Sequence, residues 1–152
     1  MANFIKVLFS YVALTLCLTA CGRAPIDQKQ LVGKWALQKD FGRNNKTGVN
    51  FNTVFILREN GVFDAINLPR GIFFSEPLTA SIVSNGSGTW KLIQSENGQQ
   101  VIDLILRSGE NIKGRLPYGI RLFVANTKDA IFLTYYHGDP DTDPRLDFVK
   151  EE

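Results

Sequence analysis

From about residue 31 onward, apolar side chains recur at every second position, the period of a strand with one buried face. Ile120, Leu122 and Val124 share a face of the run 120–126, and Ile131, Leu133 and Tyr135 share a face of the next. Within 101–106 the pattern is doubled. Ile102, Leu104 and Leu106 point one way and Val101, Asp103 and Ile105 the other, which predicts a strand covered on both sides. Turn residues divide these runs. Asn60-Gly61 separates 50–58 from 61–67, and both residues accept positive φ, a strong short-range hairpin signal. Glu96-Asn97-Gly98 joins 88–94 to 100–107, and Thr127-Lys128-Asp129 joins 120–126 to 130–136. A first strand over 31–39 and a last over 146–149 complete the set.

Beyond the first twenty residues, no window repeats apolar positions at the spacing of a helix. The stretch 40–49, rich in Asn, Gly and basic residues, reads as a polar loop. Leu68–Val83 is apolar but broken by Pro69, Gly71 and Pro77. It reads either as one or two short strands or as a lid at a barrel mouth. With it, the chain offers about eight or nine strands in sequential hairpins. With no helices to cover a flat sheet, such a meander removes its exposed edges by closing. The expected fold class is therefore all-β: a small antiparallel up-and-down β-barrel of about eight strands.

The first twenty residues follow another pattern. Lys6 is their only charge and precedes the apolar stretch Val7–Leu16, as in a secretory signal with a positive start and an apolar centre of about 7–15 residues. This stretch is shorter than the roughly 20 apolar residues of a membrane-spanning helix. Leu18-Thr19-Ala20-Cys21 follows and resembles the lipobox of bacterial lipoproteins. In that family the signal is cleaved before the cysteine, whose thiol carries diacylglycerol and whose new amino group is acylated. The resemblance implies a signal peptide over 1–20, lipidation of Cys21, a lipidated tether over 21–29 and a barrel domain over 30–152. It also implies a cell-envelope location, and Gly22 in place of an aspartate favours the outer membrane facing the periplasm.

Composition then adds three points. Of the two cysteines, Cys17 would leave with the signal and Cys21 would be lipidated, so the domain must hold together by packing without a disulfide. The span from Cys21 to Glu152 is 132 residues, the size of one domain with one core. Without Lys6, 16 basic and 15 acidic side chains remain and form no basic run, which argues against a nucleic-acid partner.

Leu31-Val32-Gly33-Lys34-Trp35 resembles the Gly-x-Trp motif on the first strand of lipocalins and the wider calycin group. In those proteins the Trp plugs the closed end of the barrel and an Arg near the last strand packs over its indole. The resemblance implies that Gly33, Trp35 and Arg145 form a barrel-closing structural motif. A guanidinium over an indole contributes about 0.5–2 kcal/mol. Gly88-Thr89-Trp90 repeats the tripeptide, as in small lipocalin-like bacterial lipoproteins.

The chemical inventory is thin. His137, the sole histidine, lies beside Gly138-Asp139-Pro140 and reads as a solvated turn residue, with no nucleophile motif to serve. Asp139, Asp141 and Asp143 are spaced like ligands of a calcium loop, but Pro144 and Lys150 stand where an EF-hand needs Gly and Glu. No catalytic residue, metal site or cofactor is expected. What remains is binding: a small apolar or amphipathic ligand within the barrel, or an envelope protein against a filled barrel. An eight-stranded barrel has interior for packed side chains or one small ligand. Phe73 and Phe74 are the candidate contacts, because an apolar pair in an irregular segment marks a ligand mouth or a protein contact.

Overall fold

A computed structural model describes residues 25–38, 52–69, 71–74, 83–95, 97–110, 116–138 and 145–152, with positions 73, 74 and 83 described in backbone only. Eight strands run in sequence order: β1 (Gly33–Leu37), β2 (Val54–Leu57), β3 (Val62–Pro69), β4 (Val83–Gln94), β5 (Gln100–Gly109), β6 (Tyr118–Asn126), β7 (Ile131–Tyr136) and β8 (Arg145–Lys150). Each pairs antiparallel with the next, and β1 pairs with β8, so the sheet closes into an up-and-down barrel. Two four-residue helices flank strands, α1 (Gln28–Leu31) before β1 and α2 (Gly71–Phe74) after β3.

The expected hairpins form where the turn chemistry places them. At the β2–β3 turn Gly61 has φ 75°, and the Asn60 side chain accepts from Val62 N at 3.1 Å. The β4–β5 turn is closed by Gly98 (φ 82°) and by the Asn97 side chain, which accepts from Gln99 N. The β6–β7 turn is closed by Thr127 and Ala130.

Alternation sorts the side chains as the sequence requires. Trp35, Phe55, Phe63, Leu104, Leu122, Leu133 and Phe148 are fully buried and point inward. Phe55 meets Phe148 edge-on at 5.0 Å and Phe63 at 6.4 Å between ring centroids. Such pairs contribute about 0.5–1.5 kcal/mol beyond the area they bury.

The doubled pattern of β5 is met only at its start: on the outer face Val101 is buried, while Asp103 and Ile105 are partly exposed. Val101 is as buried as Leu104 but stands apart from the interior cluster, opposite Phe123 on the outer face. In β3 the register slips between Ala65 and Leu68, where Asn67 takes a left-handed φ of 52°. The extra residue returns Leu68 to the interior, and Asn67 is tied down by the Asn85 side chain and Asn52 O.

Several boundaries differ from expectation: β2 starts at Val54 rather than 50, β4 at Val83 rather than 88 and β6 at Tyr118 rather than 120. The first strand starts at Gly33, because Leu31 ends α1 and is buried beneath the barrel. The tether expected to reach residue 29 stops by Ile26, which is already in the core.

Candidate functional site

The two ends of the barrel are built differently, and every candidate residue within the described region falls at one or the other.

The end formed by the short turns is sealed. Asp27 caps α1 by accepting from Lys29 N, and Gln30 reaches back to Asp27 N at 2.8 Å. This reciprocal box fixes a helix too short to persist by propensity. Ile26 and Leu31 on either side of it are buried. The Gln100 amide grips Ile26 on both backbone groups, accepting from its N and donating to its O, each at 2.8 Å. Trp35 is completely buried, and its indole N–H donates to Leu31 O at 2.8 Å. The indole thus plugs this end and holds the helix that covers it.

Arg145 does not join Trp35. The register partner of Trp35 on β8 is Lys150, five residues away from Arg145, which is about 16 Å along a strand. Parity separates the pair further: Phe148 and Lys150 share the inward face of Trp35, so Arg145 points outward. The cation at the sealed end is Lys150. Its stem crosses Gly33 and its ammonium donates to Gln30 O at 2.9 Å.

Arg145 instead serves an outer-face cluster. Its Nε donates to Asp147 at 2.8 Å, and the Thr134 hydroxyl donates to the same oxygen at 2.6 Å. Asp147 and Thr134 are both buried. The hydrogen bond to Asp147 raises the Arg145 guanidinium further above its ordinary value.

At the opposite end, the expected mouth, the described part of the connection after β3 is α2. α2 packs against β3 and against β6 on the far wall, so it crosses this end of the barrel. Ile72 is buried in the core, and the Tyr135 hydroxyl donates to its carbonyl at 3.2 Å. Burial lifts the Tyr135 phenol above its ordinary value, and nearby Tyr118 adds to the shift. His137 comes immediately after β7, its ring 6.3 Å from that of Tyr135. Phe73 and Phe74 occupy the last two positions of α2, at the mouth, but their side chains lie outside the described residues, as do Cys21, Asp139, Asp141 and Asp143.

Among the described residues no three His, Cys, Asp or Glu side chains converge as a metal ion requires. No helix among them is long and apolar enough to cross a membrane. Sequence periodicity missed α1 because four residues make barely one turn. Its signal was Asp27-x-x-Gln30, the spacing of a capping box.

The fold and its ends define a class: an eight-stranded up-and-down β-barrel, sealed at one end by a helix and a tryptophan and crossed at the other by a short helix. No family model, curated protein or solved structure matches the chain.

Proposed function

We propose that the protein is a lipid-anchored lipoprotein of the bacterial envelope, acylated on Cys21 after loss of residues 1–20. In this reading it sits on the outer membrane facing the periplasm, and its lipocalin-like barrel holds a small apolar or amphipathic ligand at the mouth. The observation that carries the binding reading is the asymmetry of the two ends. Among the described residues, the sealed end is fastened by Gln100, Trp35 and Lys150, whereas α2 is held through Ile72 and the Tyr135 hydroxyl. The buried Ile72 suits an apolar ligand, and the phenol of Tyr135 suits a polar head.

Native mass spectrometry of residues 24–152, exported to a periplasm without the anchor, tests the carrier role. A reproducible extra mass that disappears on denaturation is expected; a bare mass with no uptake of hydrophobic dye overturns it. For the anchor, Cys21→Ser is expected to leave the signal unprocessed by the lipoprotein pathway. Normal cleavage with retention on the membrane would show that the lipid is not the anchor.

A filled-barrel interaction module is the second reading, favoured by the complete burial of Trp35, Phe55, Phe63 and Phe148. Capture of an envelope protein that weakens in Phe73→Ala/Phe74→Ala, with no ligand mass, would support it.

A further inference from the structure

We propose that the sealed end is the membrane-facing surface of the domain and that the mouth opens away from the bilayer. The inference rests on the acylation of Cys21 proposed above and adds the orientation that acylation imposes. Only residues 22–25 separate Cys21 from Ile26, so five Cα steps span at most about 18 Å. Ile26 is not a loose end: it is buried, and both of its backbone groups are held by Gln100 at the first position of β5. The chain therefore leaves the folded domain at the sealed end, beside α1 and Trp35.

The mouth is out of reach of such a tether. β6 has nine residues, about 30 Å of strand. At a usual barrel tilt of 35–45° it rises roughly 23 Å along the axis. To turn the mouth towards the lipid, the four tether residues would have to climb the whole wall and still place the acyl chains in the hydrocarbon. The contour length falls short, so the sealed end is held against the headgroups.

The orientation bears on exchange. A mouth turned into the aqueous compartment takes its ligand from that compartment or from a protein that docks there. It does not draw ligand directly from the bilayer that carries the domain. This separates the protein from carriers that extract lipid from their own membrane.

The test uses the full acylated protein carrying one added cysteine. Lys128→Cys, in the β6–β7 turn, reports on the sealed end, and Glu110→Cys, after β5, reports on the mouth. Both positions are exposed; Asp129→Cys and Leu116→Cys replace either one that fails to fold. Each is labelled with a fluorophore and reconstituted in phosphatidylethanolamine–phosphatidylglycerol vesicles containing lipid brominated on the acyl chains. The expected result is loss of most emission from the label at 128, with the label at 110 near its level in vesicles without bromine. Equal quenching, or stronger quenching at 110, overturns the orientation while leaving acylation intact. Mass analysis of the same preparation reads acylation separately. An unmodified Cys21 overturns the reading and the orientation together.

Discussion

The stem of Lys150 lies across Gly33, where a Cβ on the glycine would meet Lys150 Cε at 2.7 Å. This contact joins the last strand to the first at the sealed end, and Lys150 then reaches past Gly33 to α1. The glycine also has φ 140°, a conformation in which a side chain costs about 1–3 kcal/mol. The lysine end can swing aside, but the backbone cannot. Gly33→Ala is therefore expected to lower unfolding stability by about 1–3 kcal/mol, read as a shift of the urea midpoint. An unchanged midpoint would mean that this φ is not required for closure.

The grip of Gln100 on Ile26 sets where the domain begins. Gln100→Ala removes both hydrogen bonds, a loss of about 1–3 kcal/mol if each contributes its usual net amount. Hydrogen exchange over residues 26–31 should accelerate while that of β7 holds. Gln100→Glu keeps the acceptor for Ile26 N and loses the donor to Ile26 O, so its exchange should fall between the two. Uniform acceleration along the chain would instead mark general destabilisation.

Tyr135 links the mouth to pH. Its pKa is raised in the folded state by burial, so the fold favours the protonated phenol. That contribution is complete below the unfolded value near pH 10 and is lost as pH rises through the folded value. Thermal stability should therefore fall more steeply above about pH 10 in the wild type than in Tyr135→Phe. At neutral pH the same variant loses the bond to Ile72 O, about 0.5–1.5 kcal/mol, and should take up hydrophobic dye faster. Matching alkaline slopes would remove Tyr135 as the cause.

The charge pairs on the outer face differ in worth. Thr134→Val leaves the buried Asp147 carboxylate without its hydroxyl partner and is expected to cost about 1–3 kcal/mol. Arg121 pairs with Asp103 at 2.9 Å from an exposed position, so Arg121→Ala should change stability by less than about 1 kcal/mol. Parallel urea titrations compare them, and equal losses would contradict the difference in burial.

Much of the barrel was legible because its signals are local. Gly61 and Gly98 carry the positive φ of their turns in their own residue type, and Asn60 and Asn97 accept the backbone N–H two residues on. Ile120, Leu122 and Leu133 mark inward faces by spacing alone. The ends were less legible. Its place at the last strand suggests Arg145 as the partner of Trp35, but side-chain parity and register put Lys150 there instead. Neither follows from a short strand read without its partner. Of the mouth, the break at Pro69 and Gly71 was visible, and the helix that fills it was not.

The sequence by itself determined an all-β meander, the positions of three hairpins and the first strand around Gly33 and Trp35. These depend on the period of the backbone and on residues that accept particular φ values. Only the tertiary structure decided the register of β1 on β8, the clamp of Gln100 on Ile26 and the crossing of the far end by α2. Those contacts join residues as far apart as Gln30 and Lys150. Their partners are chosen by register around the whole barrel, and no local stretch of chain carries that information.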